Sequence, residues 1–269
     1  MSFICFNGKF IKKNKAVLFA DNRGFKYGDG IFETIRFLNN KLFLETYHFE
    51  RLFASLQFLN IQTHLLSPGS LQKEILMLCT KNNLVSCRIR LTFFREEENK
   101  ASYIIEATEV PVDVHEFNVE GWEINLYPYA RKSSDAFANL KSINYLPFVM
   151  ADKYAKEKNI HEAIVVNTYN HICEGSKTNI FLYKDQQVFT PALHEGCVNG
   201  VMRRHVIQTI KKSGVPVQQT ALMEEDLLNA DEVFLTNSIL VIKWVKTYRN
   251  KQFTSSFSKE LSKIVINNF

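Results

Sequence analysis

The chain has no run of basic residues and no apolar stretch that approaches a membrane span. Lys and Arg number 33 against 28 Asp and Glu, giving a net charge of +5, but they are scattered and no aromatic stripe runs among them. That distribution argues against nucleic-acid binding and leaves room for a small anionic ligand. Cysteine is sparse and odd in number: Cys5, Cys79, Cys87, Cys173 and Cys197 lie far apart, with no CxxC or Cys/His spacing of the kind zinc needs. Reduced thiols, no metal site and a cytoplasmic location are the expectation. The opening run Met-Ser-Phe-Ile-Cys-Phe-Asn-Gly-Lys is too short for a signal peptide, and neither an internal repeat nor a low-complexity tract is found.

What is present fits a folded enzyme-sized protein. The 269 residues, 46% of them hydrophobic and 22 of them Phe, suffice for two domains with sizeable cores and aromatics to spare for a pocket. Residues 3–6 and 9–12 read as strands around Asn7-Gly8, a hairpin dipeptide. A glycine-rich loop over 21–30 leads to strands at 31–38 and 42–44. Helical spacing of Tyr47, Leu52, Leu56 and Leu59 predicts a helix from Glu45 to Leu59. Ser67-Pro68 starts another that reaches Lys81, and strands at 88–94 and 102–108 close an α+β domain over 1–108. Residues 109–121 lack periodicity and form the expected linker. A second domain over 122–269 has strands near 122–128, 162–167, 179–183, 187–190, 215–219 and 232–236, with helices at 145–158, 200–213 and 256–267. Two α+β domains with a cleft between them is the expected architecture.

Six short stretches carry candidate chemistry. Val198-Asn199-Gly200-Val201-Met202-Arg203 places a glycine and free N–H groups at a helix start, which suits a phosphate and equally suits a structural turn. Three glycines and several charges crowd Asp21–Arg36, either for close backbone approach or for a tight loop. His48 and Arg51 share one helical face; the Arg fork can grip a phosphate or pair with Glu45 or Glu50. Lys141, in Asn139-Leu140-Lys141-Ser142-Ile143-Asn144-Tyr145, sits among apolar residues, where an amine becomes nucleophilic or simply snorkels to water. Glu174-Gly175-Ser176-Lys177-Thr178-Asn179 offers a carboxylate for a cationic ring nitrogen or a polar turn, and Thr236-Asn237-Ser238 offers small polar groups for an anion or a bulge.

Taken in this order, from Asp21–Arg36 through His48-x-x-Arg51-Leu52, Lys141 and Glu174-Gly175 to Val198–Arg203, the chain resembles the class IV, or fold type IV, pyridoxal-phosphate enzymes nearly end to end. That family includes branched-chain aminotransferases, D-amino-acid aminotransferases and aminodeoxychorismate lyases. The resemblance implies an α+β, two-domain fold type IV enzyme, D-amino-acid aminotransferase-like, with pyridoxal 5′-phosphate between the domains and the cofactor lysine in the C-terminal one. It implies that Lys141 forms the Schiff base and shuttles the proton, and that Glu174 pairs with the pyridine nitrogen. Arg51, the N–H groups of Val201 and Met202, and Ser238 would hold the phosphate, with Thr178 and Asn179 supporting the ring and Glu174. It also implies a homodimer, with neither nucleic acid nor membrane as partner.

Within the family, Phe94-Arg95-Glu96-Glu97 lacks the Arg-x-His carboxylate trap of D-amino-acid aminotransferases, although Lys141-Ser142-Ile143-Asn144 looks like that subgroup. Asn237-Ser238-Ile239 replaces the Gly-Thr-Ala, and Asn199-Gly200-Val201-Met202-Arg203 the Pro-Gly-Ile-Thr-Arg, that branched-chain enzymes usually show. Both are familiar from aminodeoxychorismate lyases. The implied reaction is release of pyruvate and 4-aminobenzoate from a small anionic, amino-bearing substrate, a step toward folate. Arg90 is the expected carboxylate receptor and Arg36 a second one, with Phe32 and Asn237 also on the substrate side. The alternative is an aminotransferase acting on branched-chain or D-amino acids with 2-oxoglutarate.

Overall fold

The computed structural model describes residues 2–63 and 66–267, and its chain divides into two units. Unit 1 comprises residues 1–114 with 141–145, and unit 2 comprises residues 115–140 with 146–269.

In unit 1, Asn7 and Gly8 both take positive φ, 47° and 78°, which matches the twist of a tight hairpin joining β1 (Phe3–Phe6) to β2 (Lys9–Lys12). The glycine-rich entry contains a short helix, α1 (Arg23–Tyr27), where the sequence predicts only loop. Asn22 caps it by accepting from Phe25 N–H, and left-handed Gly28 closes it. There follow β3 (Gly30–Leu38), β4 (Lys41–Leu42), α2 (Glu45–Phe58), α3 (Pro68–Lys81), β5 (Ser86–Arg95) and β6 (Ala101–Glu109). Ser67 and Ser70 form a reciprocal capping box at the start of α3, with Pro68 in its first turn. The six strands form one sheet in the order β2-β1-β6-β5-β3-β4, and Phe49, Leu52 and Leu56 of α2 join Ile35, Ile89 and Leu91 of the sheet in its core.

Lys141–Tyr145 belongs with this unit, although the sequence places the lysine in the second domain. The reason is a short antiparallel bridge at Ile31 and Ser142. Phe32 N–H donates to Lys141 O at 2.8 Å, and Ile143 N–H to Gly30 O at 3.1 Å. Two glycines permit it: a Cβ on Gly28 would lie 3.2 Å from Asn144, and one on Gly30 would overlap the carbonyl oxygen of Phe93.

Unit 2 contains β7 (Trp122–Leu126), α4 (Leu146–Glu157), β8 (Glu162–Val166), β9 (Ile172–Gly175), β10 (Asn179–Lys184), β11 (Gln187–Pro191), α5 (Val201–Lys212), β12 (Val217–Thr220), α6 (Glu224–Leu228), β13 (Glu232–Asn237), β14 (Val241–Tyr248), β15 (Lys251–Gln252) and α7 (Ser256–Asn267). Its sheet runs β12-β11-β10-β13-β14-β7-β8-β9, with β15 also on β14. The sequence reading omits β9, α6, β14 and β15. Among the described residues, no helix is long and apolar enough to cross a membrane, and no group of three or more His, Cys, Asp or Glu is placed to hold a metal.

Candidate active site

Polar side chains gather at the sheets of both units. In unit 1 the cluster grows from β3. Alternation along the strand puts Phe32 and Thr34 on one face and Glu33 on the other. Register sets Arg90 of β5 directly opposite Thr34. The Arg90 guanidinium lies over the Phe32 ring at 3.8 Å from its centroid, and the Lys141 ammonium lies 4.5 Å from the same centroid. Tyr145 meets Phe32 edge-on at 5.3 Å. Arg90 is half-buried, burial holds its pKa below the usual arginine value, and it makes no hydrogen bond or ion pair among the described residues. Glu106 lies opposite Arg90 on β6 without a hydrogen bond to it among the described residues, so the partly desolvated guanidinium keeps its donors for an anion.

On the opposite face of β3, Glu33 is 2% exposed and accepts from Arg51 Nε at 2.7 Å, Arg51 Nη2 at 2.6 Å and His48 Nδ1 at 2.7 Å. Arg51 therefore pairs across to the sheet, where Glu33 takes two of its nitrogens. Burial raises the Glu33 carboxyl, but Arg51 and His48 outweigh it and hold its pKa at about 2. Burial also pushes the fully enclosed His48 down. With Nδ1–H directed to an ionised carboxylate, its Nε2 is a buried acceptor without a partner among the described residues.

One sequence expectation in this unit meets a different arrangement. Arg36 is 1% exposed and spends its guanidinium on Ser86 Oγ at 2.9 Å and the carbonyls of Pro111 and Val112 at 3.2 Å, so it clamps the end of the unit rather than facing a substrate. Arg95 is likewise committed, to Asp29 at 3.0 Å and to Leu59, Asn60 and Asn99.

In unit 2, β9 itself brings Glu174 to the loop ahead of α5. Val198 N–H donates to both Glu174 oxygens at 3.0 Å, Asn179 Nδ2 reaches Oε2 at 3.4 Å, and Lys132 Nζ lies 2.5 Å from Oε1. Asn139 holds that loop by donating to Leu193 O and Cys197 O. Thr178, expected beside Glu174, instead donates to Glu162, whose buried carboxyl is raised by desolvation and also takes Ser176. Asn237 is committed to its own turn: its oxygen accepts from Ile239 and Leu240 N–H, and its amide donates to Lys177 O. The sequence reading missed Lys132, which stands alone in a non-periodic segment, 42 residues from its partner.

Helix α5 begins at Val201 with Gly200 as its N-cap and no side-chain cap, so the first N–H groups, those of Val201 and Met202, lack intrahelical acceptors. The Met202 side chain is 2% exposed and packs in the core, so only its N–H is available to a ligand. Across the sheet, Thr236 faces Asn179, and its Oγ1 is buried without a partner among the described residues. Ser238 follows in the half-buried turn. An uncapped helix start and an orphaned buried hydroxyl suit an anion with several oxygens. The cradle depends on glycine: a Cβ on Gly200 would overlap Asn179 Oδ1. Gly200→Ala is accordingly expected to cost about 1–3 kcal/mol of stability, read as a lower melting temperature, because Asn179 must move.

The profile of the amino-transferase class IV family matches residues 30–248. The chain belongs to that family. It is 27% identical over 248 residues to a D-alanine aminotransferase of Listeria innocua, covering 88% of this chain and 84% of that one. It is 28% identical over 247 residues to the aminodeoxychorismate lyase of Bacillus subtilis, covering 88% and 83%. The solved branched-chain amino acid aminotransferase of Escherichia coli superposes with a TM-score of 0.89 at 23% identity, covering 100% of this chain and 94% of that one, a likeness that carries the fold. This class IV chain is thus an enzyme of the aminotransferase and lyase kind, with fold type IV architecture.

Proposed function

We propose that this class IV enzyme is a 4-amino-4-deoxychorismate lyase that releases pyruvate and 4-aminobenzoate, with pyridoxal 5′-phosphate as cofactor. The observation that carries the reading is Arg90. Its guanidinium is half-buried, without a hydrogen bond or ion pair among the described residues, and shares one aromatic ring with Lys141, so a carboxylate-bearing substrate would meet its receptor beside the reactive amine. Arg95, at the strand end where D-amino-acid aminotransferases keep their carboxylate trap, is fully engaged in unit 1 and supplies no second receptor. Asn199, Gly200 and Met202, and the likeness to the Bacillus subtilis enzyme, favour the lyase within the class.

The roles follow from the groups available. When bound, the cofactor supplies an electron sink for a carbanion. Lys141 would hold it through its amine, and the same amine would serve as the base toward C4 of the substrate ring. Glu174, a buried carboxylate, would face the ring nitrogen and favour its protonated form. Arg51, the N–H groups of Val201 and Met202, Ser238 and the orphaned Thr236 hydroxyl bind the phosphate. Loss of enolpyruvate aromatises the substrate ring, which drives the reaction without a keto-acid acceptor. A cytoplasmic homodimer that serves folate synthesis completes the proposal.

The test is a paired assay of purified protein. Release of 4-aminobenzoate from aminodeoxychorismate supports the lyase; fast transamination of branched-chain or D-amino acids with 2-oxoglutarate, without 4-aminobenzoate, overturns it in favour of the aminotransferase. Arg90→Ala should lower kcat/KM about 10–100-fold, chiefly through KM, because it removes binding made before the chemical step. An unchanged KM would detach Arg90 from the substrate.

A further inference from the structure

The carboxylate assigned to the cofactor ring already has a cation. Lys132 Nζ lies 2.5 Å from Glu174 Oε1, and among the described residues this is the only ion pair that Glu174 makes. The other charged and titratable groups whose fields reach Glu174 are turned elsewhere or neutral. Arg203 sends Nη2 to Pro191 O and Gln219 Oε1, each at 2.8 Å, and burial pushes the Cys173 and Cys197 thiols up. Lys132 is fixed at its backbone, where N–H donates to Val166 O at 2.9 Å, but its side chain crosses the Phe148 ring and remains 11% exposed. Rotation about that chain carries the ammonium toward water without disturbing the sheet.

A buried carboxylate stripped of every cation is costly, and two cations on one carboxylate repel each other. Lys132 and a protonated ring nitrogen therefore compete for Glu174. We infer that Lys132 is the resident counter-ion of Glu174, a positioning residue that holds the carboxylate in place and yields it when the ring nitrogen arrives. The inference rests on Glu174 being the ring-nitrogen partner.

Melting temperatures of the cofactor-free and pyridoxal-phosphate-loaded forms, with cofactor dissociation constants from absorbance titration, test it for Lys132→Met, Lys132→Arg and Glu174→Gln. The Lys132→Met protein should melt well below wild type when cofactor-free, recover most of the difference when loaded, and bind pyridoxal phosphate on the order of tenfold more tightly. Lys132→Arg should behave as wild type. Where methionine is not tolerated, Lys132→Gln gives the same reading. A lysine that only supports the fold would lower both forms equally and leave the dissociation constant unchanged, and that result overturns the inference. Glu174→Gln should weaken cofactor binding by roughly tenfold or more. If it does so while Lys132→Met leaves binding unchanged, only the role of Lys132 falls; if it leaves binding unchanged, the assignment of Glu174 fails and takes Lys132 with it.

Discussion

A Lys141→Ala variant is expected to fold normally and to lose at least about a thousandfold in turnover, since it removes both the anchoring amine and the proton-transferring base. Folding survives because the segment is attached through its backbone. Phe32 N–H donates to the carbonyl oxygen of residue 141, and Ile143 N–H to Gly30 O, whatever side chain residue 141 carries. Among what the fold loses is the cation over the Phe32 and Tyr145 rings, about 0.5–1 kcal/mol for each contact. Two measurements check the expectation: the rate of 4-aminobenzoate release, and the mass added by borohydride reduction in the presence of pyridoxal phosphate. The wild type should gain one reduced cofactor on Lys141, and the variant none. Full activity in Lys141→Ala would sink the mechanism.

Local chemistry was legible in the sequence, and long-range pairing was not. Asn7-Gly8 and Ser67-Pro68 announce a hairpin and a helix start because a turn or a cap is decided within four residues. The same local logic offers Glu45 or Glu50 to Arg51, whereas the fold supplies Glu33 from a strand eighteen positions away. Lys132 and Glu174 meet only because the segment before Lys141 bridges to Asn167 beyond β8, a pairing that no periodicity records. Arg36 shows the reverse error. Its place at the end of the Asp21–Arg36 stretch makes it a carboxylate candidate, but the carbonyls of Pro111 and Val112 from the linker claim its guanidinium. The helix Arg23–Tyr27 escaped because three nearby glycines outweigh a cap in any propensity reading, although Asn22 and Gly28 are ordinary helix boundaries.

The Glu33 network should make unit 1 acid-sensitive in two stages. The folded pKa of His48 is depressed from 6.5, chiefly by burial, so below 6.5 the unfolded chain takes up a proton that the folded one refuses, and stability falls as pH drops. The folded pKa of Glu33 is depressed from 4.5 to about 2, so its contribution is complete above 4.5 and is lost as pH falls toward 2. That fall corresponds to roughly 3 kcal/mol at about 1.4 kcal/mol per pH unit. Glu33→Gln should abolish the lower stage. Because it strands the Arg51 guanidinium and the His48 ring without their shared anion, it should also cost about 3–5 kcal/mol near neutral pH. Denaturant unfolding of both proteins across the acid range, followed by a probe in unit 1, measures both effects. If the variant keeps wild-type stability and the same acid profile, Glu33 is not what fixes Arg51. The phosphate receptor proposed there would then lack the rigid support that distinguishes it from an ordinary surface arginine.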